Sequence, residues 1–484
     1  MTSLFRKLST NIRGNGLTAH IFRGGAWLGV GSACEQFLRL GRNVVLTRVL
    51  LPEAFGVMAI IYSTSYVVDS FAQIGVKEAI IQNPHGNESG YVNSAWWLSF
   101  LRGLVIYAIM CALASWVANF YRHPELTALM RTALLGIVFT GAQSPMAYVA
   151  LKEMKFKKWM IIQSSGGLLG SLFVVGLALT IHSVWALAVG YAVENFLRCI
   201  VSFIVCPFRP RVEVDKAAIR GLLTFSRGVF GLSFLYLLFS RTDVFVLGKI
   251  LPASALGIYT MAVYLVQVPT SFIVSVLTQT LMPSFAQIQD DRLRINAIVS
   301  RATATLLICG MPVLVFVVLA GRVMLLVFYG SQYVTASSTL VVAAFVGLIN
   351  IVNSVITVVF YAVGSPQFHR RCLLVMATLM LILIYPAVKQ FGVLGGQGAA
   401  LVAIIAGFAS QLVRIERITK LDLLQYSRFL PGTVAACCGA LVVAASARYF
   451  FPSDNPVATV SIGIAATVAA LVLSSKQLIR QVTT

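Results

Sequence analysis

The feature that most limits what this chain can become is its repeated return to long apolar stretches. A helix that crosses the hydrocarbon core of a bilayer needs about 20 mainly apolar residues. Fourteen stretches in 484 residues meet that need, at roughly 25–48, 55–76, 93–118, 127–150, 159–181, 183–206, 227–250, 256–282, 297–320, 335–363, 372–388, 396–414, 431–449 and 456–474. Apolar residues make up 58% of the chain and charged ones 11%, against about 45–50% and about 25% in soluble domains. A soluble core cannot hide so much apolar surface, and a bilayer can cover it. The pattern predicts an all-α polytopic membrane protein of about fourteen transmembrane helices.

Basic residues set the expected orientation, because Lys and Arg gather in loops on the cytoplasmic side. With the N-terminus inside, and residues at a span edge counted with the adjoining loop, the inside segments hold 25 of the 37 Lys and Arg, the outside loops hold six and the span interiors hold six. That alternation predicts both termini in the cytoplasm, with residues 1–24 as a basic N-terminal tail rather than a cleavable signal. The net charge of +21 therefore belongs to lipid headgroups and cytoplasm. No basic run interleaved with aromatics marks a nucleic-acid surface.

A repeat shows in the ends of two spans. Arg42-Asn43, Leu50-Leu51-Pro52 and Gly56 match Arg241-Thr242-Asp243, Ile250-Leu251-Pro252 and Gly257, with the prolines 200 residues apart. Six spans per repeat give two parallel lobes. The expected domains are an N-lobe at 25–206, a cytoplasmic inter-lobe loop at 207–226, and a C-lobe at 227–414. An interfacial linker at 415–430, two last helices at 431–474 and a cytoplasmic tail at 475–484 complete the chain.

Thr47–Gln82, TRVLLPEAFGVMAIIYSTSYVVDSFAQIGVKEAIIQ, resembles the opening of bacterial polysaccharide exporters of the multidrug/oligosaccharidyl-lipid/polysaccharide superfamily. It is most similar to the O-antigen and exopolysaccharide repeat-unit flippases. Ala150–Lys158, Val184–Leu187, Arg241–Asp243, Leu256–Tyr259, Pro269, Pro283–Phe285 and Gln289–Asp291 follow that family's pattern in order. The resemblance implies two six-helix lobes in a V shape, alternating access, and an undecaprenyl-diphosphate-linked oligosaccharide as cargo. It also implies a bacterial inner membrane location and partner machinery for polymerisation and export.

Charges inside spans are costly and face a cavity or a partner. They are concentrated in the first half and on the seventh span: Glu35, Arg39 and Arg42; Asp69; Arg102; Arg131; Glu194 and Arg198; Arg241 and Asp243. Glu35/Arg39 and Glu194/Arg198 are four apart, on one helical face, so each pair can neutralise itself for insertion, and Asp69 and Asp243 can serve simply as arginine partners. If the cargo is a diphosphate, the planar fork of arginine suits it, since it donates two hydrogen bonds to one phosphate and never deprotonates. Arg39, Arg42, Arg102, Arg241 and Arg198 are then the diphosphate candidates. Asp69, Glu35, Asp243 and Glu194 are candidates for taking up a coupling proton or sodium ion.

The six tryptophans lie near span ends, as an aromatic belt would, and Gly166 and Gly170 form a small-xxx-small pair suited to close helix packing. No phosphate-binding Gly-rich loop, zinc-protease motif or nucleophile elbow occurs, and no cofactor or metal is expected. A multidrug exporter of the same superfamily would require an acidic or aromatic cavity. A membrane-embedded polymerase or glycosyltransferase would require a large outer loop, whereas no loop exceeds about 20 residues. A lipid II-type flippase would share the mechanism.

Overall fold

A computed structural model describes residues 17–72, 76–212, 215–289, 291–422, 426, 430–450 and 456–483. All of its described regular structure is helical, and the described residues of the apolar stretches are mostly helical, with 127–150 divided between two helices. The helices are α1 (Leu17–Val49), α2 (Pro52–Ala72), α3 (Val76–Gln82), α4 (Ser89–Tyr121), α5 (Leu126–Gly141), α6 (Met146–Lys152), α7 (Phe156–Ile181) and α8 (Val184–Val205). Then follow α9 (Lys216–Ile250), α10 (Ala253–Gln287), α11 (Arg292–Tyr329), a 3-10 turn (Ser331–Ala336), α12 (Ser337–Ala362), α13 (Pro366–Phe391), α14 (Val393–Thr419), α15 (Leu430–Phe450) and α16 (Pro456–Thr483).

Among the described residues, eight helices are long and apolar enough to cross a membrane without qualification, and nine if the bent pair α5 and α6 is one span. The other expected spans include the charge-bearing helices α1 and α9, and the shorter apolar runs within α15 and α16. The stretch expected as an interfacial linker at 415–430 is described only in part. Residues 415–419 finish α14, and most of 423–429 lies outside the described residues.

The chain forms two compact units, Met1–Leu237 and Leu238–Thr484. The division falls inside α9, beyond the expected inter-lobe loop. In the first unit α1 packs on α7, α7 on α8, and α5 on both α4 and α8. In the second, α12 is the central helix and packs on α10, α11 and α14. Its Val355, Ile356, Val359 and Phe360 form a core with Phe285, Ile295, Val299 and Ile415. The last two helices lean on α11 through small residues: Cys437, Ala440, Ala444, Ala466 and Ala470 pack with Val315 and Leu319.

The break between α5 and α6 bends the chain by 55°. Backbone groups freed at membrane depth must find partners inside the protein, and here side chains supply them. Trp96 donates to the Ala142 carbonyl at 3.0 Å. The Ser144 amide donates to the Ser202 hydroxyl at 2.9 Å, and the Ser144 hydroxyl donates to the Cys206 carbonyl at 2.7 Å. Trp97 pins the chain beyond α8 in the same way, donating to the Arg211 carbonyl at 2.9 Å. These two tryptophans act as fasteners beyond any role in a belt.

Candidate functional site

Helical spacing builds the site. Glu35, Arg39 and Arg42 recur at four and three residues along α1, so one face of that helix is a charged ladder. Glu194 and Arg198 make a shorter ladder on α8. Both ladders lie well inside their helices. The fold brings them together through α7, which packs on both α1 and α8.

Gly166 and Gly170 allow that approach. A Cβ at Gly166 would stand 2.8 Å from the Arg198 Cβ, and one at Gly170 would stand 2.6 Å from the Glu194 Cβ. Real Cβ atoms do not tolerate either distance. A Cβ at Gly167, between them, would stand 3.6 Å from the Glu35 Cγ, in ordinary contact. The small-xxx-small pair is thus the seat of the charged residues.

The two expected self-neutralising pairs merge into one network. Arg39 Nη2 donates to Glu35 Oε1 at 3.1 Å and to Glu194 Oε1 at 2.6 Å. Arg198 Nη2 reaches the same two oxygens, at 3.4 Å and 3.2 Å. Arg42 Nη1 donates to Glu194 Oε2 at 3.3 Å. Glu194 therefore holds three arginines, and three guanidinium groups face two carboxylates. The cluster is graded from inside to outside: side-chain exposure is 5% for Glu194, 14% for Arg198, 16% for Arg42, 24% for Glu35 and 31% for Arg39. Tyr62 of α2 lies within electrostatic reach of Arg42, Arg39 and Glu194. Its ring meets Tyr191 of α8 edge-on at 4.9 Å, so aromatic surface borders the charges.

Other sequence-predicted residues keep different company. Arg102, half-buried on α4, lies within electrostatic reach of Tyr148 on α6, as does Glu78 on α3. Asp69 is on α2, and its side chain falls outside the described residues. Asp243 belongs to the second unit. Its Oδ2 accepts from the Tyr259 hydroxyl at 2.6 Å and its Oδ1 from the Val244 amide at 2.8 Å. Gln397 of α14 donates to the Tyr259 oxygen at 2.7 Å. Arg241, one turn-half earlier on α9, is within electrostatic reach of Asp243. Asp243, Tyr259 and Gln397 are 9%, 1% and 4% exposed, a closed polar network in an apolar bundle. Sequence inspection missed Tyr259 and Gln397; the one available signal was a glutamine in the middle of the glycine- and alanine-rich start of α14.

The sequence profile of a family described as polysaccharide biosynthesis protein matches residues 45–338. The chain belongs to that family. The matched stretch takes in Glu194, Arg198, Asp243 and Tyr259 and begins just after Arg42. Among the family's relatives of this chain is the lipopolysaccharide biosynthesis protein WzxC of Escherichia coli (strain K12), 24% identical over 391 residues, 80% of this chain and 77% of WzxC. The succinoglycan biosynthesis transport protein ExoT of Rhizobium meliloti (strain 1021) is 24% identical over 60% of this chain and 59% of its own length. The teichuronic acid biosynthesis protein TuaB of Bacillus subtilis (strain 168) is 22% identical over 69% and 70%.

Solved structures agree on the fold. The lipid II flippase MurJ in its inward closed conformation matches with a TM-score of 0.76 at 12% identity, covering 94% of this chain and 99% of MurJ. An inward-facing multidrug resistance MATE transporter of the MOP superfamily matches with 0.59 at 13% identity, over 80% and 96%. This member of the polysaccharide biosynthesis protein family is therefore a multi-pass membrane protein, helical in all of its described regular structure, with a fold like those of MurJ and the MATE transporter.

Proposed function

We propose that this protein flips a lipid-linked oligosaccharide, an undecaprenyl-diphosphate-linked repeat unit, from the cytoplasmic to the outer face of a bacterial inner membrane by alternating access. The flipped unit would feed exopolysaccharide or lipopolysaccharide synthesis, handing cargo to a polymerase and export machinery. The observation that carries the proposal is the gathering, among the described residues, of three guanidinium groups on two carboxylates in the Glu35–Arg39–Arg42–Glu194–Arg198 cluster, midway along α1 and α8. A diphosphate entering a low-dielectric region needs its charge matched, and arginine provides a permanent, forked donor. The relatives named for lipopolysaccharide, succinoglycan and teichuronic acid synthesis, and the MurJ-like fold, favour the same cargo class.

Within this proposal the chain moves its cargo without altering it chemically, and both termini lie in the cytoplasm. Arg39, Arg42 and Arg198 receive the diphosphate, and Arg102 and Arg241 offer further contacts along its path. Asp243, bonded by the Tyr259 hydroxyl and the Val244 amide, is the acceptor for a coupling proton or sodium ion; Asp69 is a second candidate. The lobes are the six-helix groups 25–206 and 227–414, with 431–474 as a membrane anchor.

The test is transport of a fluorescent polyprenyl-diphosphate oligosaccharide in proteoliposomes. The wild-type protein is expected to flip it, and Arg39→Ala/Arg42→Ala, folded by gel filtration and melting, is expected to lose at least about tenfold in rate. A folded double variant that matches wild type would remove the cluster from the mechanism. A wild-type protein that ignores this lipid and exports organic cations would instead be a multidrug exporter.

A further inference from the structure

We infer that Glu194 is a built-in competitor for the cargo: its carboxylate sits where the phosphate is to bind, and the arginines change partners from one to the other. The inference rests on the flippase proposal. Glu194 Oε1 takes Arg39 and Arg198, and its Oε2 takes Arg42. One anionic group engaging several guanidinium forks through two oxygens is the arrangement a phosphate makes with arginine. Glu194 is thus an internal likeness of the ligand.

The packing makes Glu194 the fixed member and Arg39 the movable one. Gly170 lies so close beneath Glu194 that even a methyl group has no room, and the carboxylate is the least exposed group of the five. Arg39 is the most exposed, at 31%. It already divides its guanidinium between Glu194 and Glu35, which sits one turn away on its own helix. An incoming diphosphate meets Arg39 first. As Arg39 and then Arg42 turn outward to phosphate, Arg198 stays on Glu194 and Glu35 at 3.2 Å and 3.4 Å. Neither carboxylate is then left buried without a positive partner, which would be costly.

The device answers a problem that every carrier faces. Binding must be good enough to admit the cargo and weak enough to let it leave. Three arginines without counter-ions in a dry site would hold a diphosphate too tightly. With Glu194 in place, each arginine that phosphate gains is one taken from a carboxylate, so the net gain is small. The carboxylate then reclaims the arginines as cargo departs.

Full-length protein in nanodiscs, titrated with undecaprenyl diphosphate and separately with inorganic pyrophosphate, tests this. Glu194→Gln keeps shape and one acceptor and removes the charge. It is expected to bind undecaprenyl diphosphate at least about tenfold more tightly than wild type, with a larger ligand-induced rise in melting temperature, and to flip the fluorescent cargo more slowly. Glu194→Asp, which keeps the charge but shortens its reach, is expected to fall between the two and serves if the glutamine variant does not fold. Equal or weaker binding by both variants overturns the inference and makes Glu194 a structural counter-ion only. If that result comes while Arg39→Ala and Arg42→Ala still lose affinity, the flippase proposal stands. If the arginine variants also bind like wild type, the diphosphate site itself is misplaced. Pyrophosphate following the same order of variants assigns the effect to the headgroup; an effect confined to the lipid assigns it to the tail and counts against the exchange.

Discussion

Glu194 in the first unit and Asp243 in the second are both buried carboxylates on long helices, 4% and 9% exposed, yet they are held by opposite means. Glu194 is gripped by three guanidinium groups in a network that opens by stages toward Arg39. Asp243 is held by a tyrosine hydroxyl and a backbone amide, with Gln397 behind the tyrosine. A charged, graded cluster can trade partners with another large anion. The Asp243 network, made by a hydroxyl, an amide and a carboxamide with Arg241 in electrostatic reach, is small and buried. The contrast is what the proposed division between a place for cargo and a place for a coupling ion requires.

The largest expected effect comes from removing the carboxylates. Glu194→Ala takes the buried carboxylate from Arg42 and leaves Arg39 and Arg198 to share Glu35, and is expected to cost about 3–5 kcal/mol. Asp243→Ala strands one hydroxyl and one amide and is expected to cost about 1–3 kcal/mol. Denaturation of the detergent-purified protein compares the two, and equal losses would break the contrast. Next in size are the glycines. Gly170→Ala forces overlap with Glu194 and is expected to cost about 1–3 kcal/mol. Gly398→Ala, where a Cβ meets nothing within 4 Å, is expected to be neutral or stabilising by up to about 1 kcal/mol. The same melting series reads both. The smallest is Tyr259→Phe, which removes one hydrogen bond to Asp243 and is expected to cost about 1 kcal/mol and to change the proton or sodium dependence of transport more than the affinity for undecaprenyl diphosphate. Transport assayed across imposed pH and sodium gradients separates those effects.

Much of the fold was legible because its cause is local. A run of about 20 apolar residues satisfies a bilayer whatever its neighbours are, so the positions of helices such as α4, α7 and α12 could be read directly. The charges were legible for the same reason: an arginine at position 42 is conspicuous between Leu40 and Val45. Their meeting was not. Arg39 and Glu194 are 155 residues apart, and helical periodicity gives the face a residue occupies but not the helix that face will meet. The pair Gly166 and Gly170 held the missing information. It marks where two backbones come closest, and on the next span Glu194 and Arg198 repeat its four-residue spacing. The bend after Gly141 was hidden because the apolar run continues through it, and only Ser144-Pro145 hints at a break. Tyr259 was hidden because a tyrosine in a span is ordinary until a carboxylate is placed beside it.

The end of the first unit at Leu237, inside α9, bears on how the protein is made. A chain emerges from the ribosome N-terminus first, and its parts fold in that order. Ala218 and Leu222 of α9 are buried with Ala79, Ile80, Tyr91, Val92 and Val149, so this core stays unfinished while only the first eight helices exist. The nascent first unit must wait, open at one end, until the first half of α9 has been synthesised. For that reason a nascent chain arrested just after α8 is expected to be more open to protease than one arrested past α9.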